Sequence, residues 1–411
     1  MKYFVLTVDG MADRRMSACG GKSPMEVAAK PTMNMLSYRS FNGFVSNLPE
    51  GAADVPYAVD LSVLGCDPSI SCGTAVYEAA SLGAALTDED TVYKCAFLSL
   101  SEDDCDYADR KVLSAHPSDV TAEEITRLVS AVNKGISTKI KKFYAASDLS
   151  ACLVWRRSPK QTAIASPEEA EGKRTGDFFP DGDAGARIVP MLEKSYTVLK
   201  DHPVNVRRRE QGKAPLNSIW LWGGEKKPAY DDFGEKWRVS PSIIGEDAML
   251  TGIGALIGMK PVKASSSSVL AKAAIDEFTA GADLVYVHYD GVRKASLAGD
   301  AAAKVAAIEE ADSAVLAPVY EYLCGCGDQF KLLVSTGTAI PCETRAYEPG
   351  PAPFFMYNSM RTEVGYKPFS ELNAAKSGFC LPEGHKFVPF MIRLPAPAPE
   401  KEETPEQNGQ Q

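Results

Sequence analysis

Apolar residues fall along this chain in short continuous runs separated by longer stretches of helical spacing. The first run, residues 3–8, is β-branched and aromatic and stops abruptly at Asp9-Gly10. It predicts a buried strand that delivers a carboxylate to its carboxyl end, the edge at which open α/β sheets bind ligands. Similar runs recur at residues 218–222, 283–288 and 331–335, with helical patterns at 269–278 and 301–316 between them. Strands alternating with helices predict an α/β fold with a largely parallel sheet covered on both faces.

From about residue 86 to residue 214 the texture changes: charge rises, residues 121–132 pattern as a helix and residues 151–155 as a strand. This predicts an inserted smaller α/β domain at 86–214, with residues 1–85 and 215–394 forming the core domain. Residues 395–411 are rich in Pro, Glu, Gln and Lys and nearly free of apolar side chains. Such a tail cannot offset its ordering entropy by burial and is expected to be disordered.

Composition narrows the function. With 411 residues the chain exceeds what one hydrophobic core organises, and 45% hydrophobic with 24% charged residues is the balance of an ordinary globular protein. A formal charge of -10 argues against a nucleic-acid partner, whose affinity rests on Lys and Arg neutralising phosphates. The one dense basic cluster, Arg207, Arg208 and Arg209, reads as a solvated helix face. The opening MKYFVLTVDG is too short an apolar run for a signal peptide, and no stretch is long enough to span a bilayer, so a cytoplasmic protein without a membrane partner is expected. Ten cysteines lie scattered, with only Cys324 and Cys326 close together. They read as reduced thiols, most of them buried as small apolar residues.

Isolated motifs carry little. Residues 251–258, TGIGALIG, have the glycines of a phosphate loop, but a dinucleotide fingerprint needs a strand first and residues 246–250 read as helix. Close helix packing through small residues is the better reading. The run Ser265 to Ser268 has no base partner near it in sequence and reads as a flexible loop. The four histidines, His116, His202, His288 and His385, are dispersed singly, none with a His or carboxylate at the i+4 spacing that places two ligands on one helical face.

Longer phrases are more specific. They include Val8-Asp9-Gly10-Met11-Ala12-Asp13, GGKSPMEVAAKPTM from Gly20, Leu61-Ser62-Val63-Leu64-Gly65-Cys66-Asp67-Pro68 and Glu78-Ala79-Ala80-Ser81. Further on stand Asp201-His202-Pro203-Val204-Asn205, Asn217-Ser218-Ile219-Trp220-Leu221-Trp222-Gly223 and Pro382-Glu383-Gly384-His385. In this order they resemble the cofactor-independent phosphoglycerate mutases of the archaeal type, within the alkaline phosphatase superfamily, and especially the branch described as a proposed homoserine kinase. The resemblance runs from residue 1 to about residue 392. It implies an alkaline-phosphatase-like core binding two divalent cations, usually manganese, with a serine that takes the phosphoryl group and returns it to the other hydroxyl of the glycerate.

Carried over position by position, the resemblance retains the first metal-binding aspartate as Asp9 and little else. The family's nucleophile phrase, Gly-Ser-Asp-Val-Ala-Asn, corresponds without gaps to Val55-Pro56-Tyr57-Ala58-Val59-Asp60, so the serine is Pro56; aligned instead on Asp54-Val55, it is Ala53. The family's Pro-Asp-Glu-Ala-Gly-His becomes Val292-Arg293-Lys294-Ala295-Ser296-Leu297, replacing a ligating aspartate and histidine by Arg293 and Leu297. The Asp-His pair becomes Gly337-Thr338, and the final histidine becomes Tyr347, with Arg345 intact before it. Two substrate-contact phrases change as well, Gly-Arg to Gly73-Thr74 and Arg-His to Ser150-Ala151.

These losses lead to the expectation of a pseudoenzyme without intact catalytic residues and without a bound cofactor, retained to bind an anionic metabolite or a protein partner. Arg293 is expected to face Asp9 directly or through one water and replace part of the lost metal charge. Two alternatives stay open. One is an active manganese-dependent mutase interconverting 2-phosphoglycerate and 3-phosphoglycerate, with Asp54, Asp60, Asp290 and Asp300 as replacement carboxylates. The other is metal-free binding of a phosphate or carboxylate by Arg293 and Lys294.

Overall fold

The computed structural model describes residues 1–52, 57–145, 151–159, 164–361 and 363–393. Its larger sheet has eight strands in the order Cys380–Leu381, Phe41–Val45, Ala352–Asn358, Phe330–Ser335, Lys2–Val8, Leu284–Tyr289, Pro241–Gly245 and Lys260–Lys263. The last five run parallel; Ala352–Asn358 is antiparallel to both of its neighbours. Every residue of Leu284–Tyr289 and Phe330–Ser335 is buried, which is why these strands read as unbroken apolar runs and not as alternations.

Alternation along Lys2–Val8 divides the core in two. Phe4, Leu6 and Val8 pack with helix Ser267–Thr279 and the long helical stretch after residue 300, whereas Val5 points to the opposite layer, under helices Ala58–Val63, Thr74–Ser81 and Ala248–Leu256. Each fully buried side chain of this size contributes roughly 1.5–3 kcal/mol. The predicted helix at 301–316 begins as Ala301–Glu310, widens to a π-turn over Ala311–Leu316 and resumes as Ala317–Gly325. In the π-turn the buried Asp312 accepts hydrogen bonds from the backbone N–H groups of Thr32 and Met33, at 3.1 and 2.6 Å, capping the start of helix Pro31–Tyr38.

Asp90–Leu100 anchors a second sheet. Ala151–Arg156 and Ser218–Lys226 flank it antiparallel, Lys141–Ala145 extends the far side and Val112–Ser114 pairs with its end. Helices Ala122–Ile136 and Gly182–Leu199 cover it with a core of its own. Residues 218–222 therefore belong here and not with the parallel strands, and this sheet reaches past the expected boundary at 214. A short apolar run signals burial but not its strand partner, so the sequence pattern did not separate it from the other runs.

Four further expectations are corrected or refined. Helix Ala248–Leu256 does pack closely: a Cβ on Gly252 would lie 2.0 Å from the Tyr77 carbonyl oxygen in helix Thr74–Ser81. Ser267 and Ser268 open helix Ser267–Thr279 instead of lying in a loop, because Ser266 supplies an extended N-cap. Arg208 is not solvated: it is buried, bonding the carbonyls of Ser118, Asp119 and Ala214 and the Glu124 carboxylate. All ten cysteines are unpaired, but only Cys72, Cys95, Cys152 and Cys342 are buried, the rest lying in partly or fully exposed loops and element ends. Residues 395–411 lie outside the described residues, and among those described no helix is long and apolar enough to cross a membrane.

Candidate functional site

Strand register assembles the site. Thr7 lies opposite both His288 and Ser335, and Val8 opposite Tyr289, so the residues that follow (Asp9, Asp290 and Thr336 to Thr338) emerge together at the carboxyl edge of the sheet. Asp9 is 2% exposed. Its Oδ1 accepts a hydrogen bond from the Thr338 backbone N–H at 3.3 Å. Gly337 has φ +64°, and a Cβ there would meet Asp9 Oδ1 at 2.2 Å, so only glycine gives both the left-handed backbone and the clearance. Burial pushes the Asp9 carboxyl up to about 6, opposed by His288 and Arg293 and reinforced by Asp60.

Next to Asp9 stands an alternating row of charges. His288 Nδ1 lies 3.1 Å from Asp60 Oδ1 and His288 Nε2 lies 3.3 Å from Asp290 Oδ1, with all three residues in the buried part of the site. The Tyr286 hydroxyl is also 3.3 Å from Nδ1. Burial works against a charged imidazole here, yet the surrounding Tyr286, Asp60 and Asp290 raise its pKa well above 6.5. Arg293 Nε and Nη2 both donate to Asp290 Oδ1, at 2.8 and 2.6 Å, and Nη2 is 3.9 Å from Asp247 Oδ2. Although burial opposes its charge, His288 and Arg293 hold the Asp290 carboxyl below the usual carboxylate range. The Tyr347 hydroxyl bonds to Arg293, and burial keeps it protonated well above the ordinary phenol range. Tyr57, in a left-handed conformation at φ 58°, starts helix Ala58–Val63 and carries Asp60 into the row.

Of the residues singled out from the sequence, Asp9, Asp60, Asp290, Arg293, Gly337, Thr338 and Tyr347 converge here. Leu297, a turn beyond Arg293 on the same helix, is 38% exposed. Ala53, Asp54 and Pro56 lie outside the described residues, as does Ser150. Asp300 caps helix Ala301–Glu310 through the Ala303 N–H at 2.9 Å and has a structural role. Arg293 does not pair directly with Asp9: its carboxylate is Asp290, three residues back on the same helical turn and within easier reach. Lys294 is bound to Glu246 at the surface, so it and Arg293 do not form a joint anion receptor. His288 and Asp247 were not expected in the site. The nearest signal for His288 is its place on a strand ending beside the Asp9 strand. The other histidines lie elsewhere: His116 pairs with Glu168, and His202 caps helix Pro203–Glu210.

Among the described residues the donor set does not suit a pair of divalent cations. Both nitrogens of His288 face carboxylates, a protonated imidazole offers no lone pair, and the Arg293 guanidinium rests on Asp290 where a cation would have to approach. Among the described residues no group of three or more His, Cys, Asp or Glu is arranged to hold a metal ion. Carboxylates nevertheless outnumber fixed cations here, which is the wrong balance for holding a phosphoryl group without metals.

Comparison with known proteins agrees with the sequence phrases. The model of the family described as 2,3-bisphosphoglycerate-independent phosphoglycerate mutase matches residues 38–205. A relative of that name from Methanosarcina barkeri is 28% identical over 404 residues, covering 96% of this chain and 100% of the relative. A probable 2,3-bisphosphoglycerate-independent phosphoglycerate mutase from Geobacter sulfurreducens is 28% identical over 402 residues, covering 95% and 100%. The solved cofactor-independent phosphoglycerate mutase from Thermoplasma acidophilum has the same fold, with a TM-score of 0.73 at 22% identity over 95% of this chain and 99% of that one. Relatives of one description, 2,3-bisphosphoglycerate-independent phosphoglycerate mutases, thus resemble this chain along nearly its whole length.

Proposed function

We propose that this chain is a member of the 2,3-bisphosphoglycerate-independent phosphoglycerate mutase family that does not carry out metal-dependent phosphoryl transfer and instead acts as a binding or regulatory protein for a small organic anion. The observation that carries this reading is the guanidinium of Arg293 seated on Asp290 at 2.6 Å, beside His288 held between Asp60 and Asp290. Phosphoryl transfer needs cations gathered around the transferring oxygens and a nucleophile whose pKa a metal or base lowers. In this site the positive charges are spent internally on carboxylates. At the position of the family's nucleophile the sequence has Pro56 or Ala53, neither with a hydroxyl.

The test is direct. Purified protein supplied with manganese should show no interconversion of 2-phosphoglycerate and 3-phosphoglycerate above background in a coupled assay, and should retain no stoichiometric manganese, zinc or cobalt after dialysis. Turnover on the order of 1 per second, within the usual enzyme range, overturns the proposal.

A further inference from the structure

Charge is unevenly placed around the second sheet. Where helix Ala122–Ile136 turns into strand Lys141–Ala145, Lys134, Lys139, Lys141 and Lys142 fall within nine residues that include no Asp or Glu. The chain has a formal charge of -10 with these four lysines and -14 without them. Earlier on the same helix a cation has its carboxylate, Arg127 on Glu123 at 2.5 Å. Among the described residues none of the four lysines pairs with a carboxylate. Lys134, Lys139 and Lys142 are exposed and Lys141 is half-buried. Two of them rest on aromatic faces: the Lys141 ammonium lies 4.4 Å from the centre of the Trp155 ring and 3.4 Å from Met191 Sδ, and that of Lys142 lies 4.7 Å from the centre of the Tyr144 ring. Burial and the nearby Arg187 guanidinium lower the Lys141 pKa, as expected where positive charge has no answering anion.

Lysines on a sheet edge commonly keep other strands away, but this edge is closed by other means. The N–H and C=O of Lys141 bond to Thr138 at 3.2 and 3.1 Å, and those of Phe143 to the Asn133 side chain at 3.0 and 2.9 Å. Strand addition finds the outward backbone groups of both residues occupied, so the lysines are not needed to prevent it and a partner must engage side chains. The same bonds fix the turn: Lys139 and Ile140 form its tip, the Ile140 N–H donating to Thr138 Oγ1 at 3.3 Å, and Ile140 is 43% exposed. Lys134 borders an open groove between the helix and the strand, walled also by Val129, Phe143 and Tyr144. Ammonium groups thus surround a small apolar strip. A broad polyanion, such as a membrane or a nucleic-acid duplex, would also bring its charge against the acidic remainder of the molecule, whereas a narrow segment meets this corner alone.

We infer that this corner is a docking surface for an acidic peptide segment of a partner protein, its carboxylates on Lys134, Lys139 and Lys142 and its apolar residues against Ile140, Val129 and Tyr144. The inference goes beyond the proposed function and does not depend on the charged row at the edge of the larger sheet.

The experiment uses the full chain and a fluorescein-labelled peptide, Glu-Glu-Leu-Glu-Phe-Glu-Glu, read by anisotropy. Comparison peptides carry Gln for every Glu, or Ser for Leu and Phe. The acidic apolar peptide should bind at least about tenfold more tightly than the Gln peptide and measurably more tightly than the Ser peptide, and should weaken as added salt shortens the Debye length. The double substitution K139E/K142E should cost about tenfold or more. K263E/K376E, which changes net charge equally at exposed lysines elsewhere, should leave binding within about twofold. If K139E/K142E does not fold, K139A/K142A takes its place, and the peptide comparison on the unaltered chain still decides the role of charge. No binding of the acidic peptide up to about 1 mM, equal binding of the Gln peptide, or equal losses in the two charge-reversed variants overturns the inference. Tighter lysine-dependent binding to phosphatidylserine vesicles than to the peptide would assign the corner to a membrane instead. Salt-sensitive self-association in sedimentation, abolished by K139E/K142E, would assign it to a second copy of this chain; either result also overturns the inference.

Discussion

Asp9 is buried at the end of its strand, and its environment makes a measurable demand. Its folded pKa is raised to about 6 from an ordinary 3.8. A carboxyl with a raised folded pKa lowers stability when ionised, so the penalty is present above pH 6 and is relieved as pH falls from about 6 towards 4. Two units at 1.36 kcal/mol each give a relief of roughly 3 kcal/mol. We predict that unfolding free energy, measured relative to Asp9→Asn, rises by this order between pH 6.5 and pH 4. A flat difference would show that Asp9 is well solvated or ion-paired in the folded protein. His288 acts in the opposite direction on the alkaline side: with a folded pKa well above 6.5, its contribution is full below the unfolded value and fades as pH rises through the folded one. At this scale the sequence revealed what sat at strand ends or inside long phrases, such as Asp9, Arg293 and Tyr347. It did not reveal which carboxylate Arg293 would choose, because Asp290 and Asp9 are both near in space and only side-chain reach separates them.

Among the secondary-structure elements, helices Thr74–Ser81 and Ala248–Leu256 pack closely together, the second starting beside the charged row at Asp247. The second helix bears Asp247 at its N-cap and Met249 in its first turn, while the first carries Thr74 and Glu78. Gly252 lets their backbones approach. Alanine is favoured over glycine within a helix by about 1 kcal/mol, but here its Cβ would lie 2.0 Å from the Tyr77 oxygen and 3.2 Å from the Ser81 nitrogen, neither on a flexible side chain. Overpacking of this kind costs about 1–3 kcal/mol. Gly252→Ala should therefore destabilise the chain in urea. Gly325→Ala, at a helix end where nothing lies within 4 Å, should be neutral or slightly stabilising. Equal effects of the two substitutions would mean that the helices are not in close contact. The apolar runs announced the strands Leu284–Tyr289 and Phe330–Ser335 well because burial on both faces leaves a continuous signature. Pairing was not encoded in the runs: residues 218–222 look like a parallel core strand yet pair with Asp90–Leu100, since strand composition reports environment and not neighbour.

Across the whole molecule, two sheets with separate cores place a row of paired charges at the carboxyl edge of the larger one, and this bears on how the protein should respond to metal. A ligand that binds only the folded state stabilises it by about 2.7 kcal/mol at a concentration of 100 Kd. In an enzyme that depended on manganese, removing the ion would lower the unfolding midpoint, and restoring it would raise the midpoint by several degrees, at about 2–4 °C per kcal/mol for large domains. In this chain the carboxylates Asp60 and Asp290 already meet His288, and Arg293 occupies Asp290. An entering dication would have to displace a guanidinium and deprotonate an imidazole, and both changes oppose the gain from its own binding. We predict that chelation with EDTA leaves the thermal midpoint unchanged, and that manganese added to millimolar concentration raises it by less than about 1 °C. Arg293→Met, by freeing Asp290, should increase that response. A rise of several degrees in the unaltered protein, saturating near stoichiometric manganese, would mean that the charged row opens to admit metal, and the internal neutralisation argued from Arg293 and His288 would have to be abandoned.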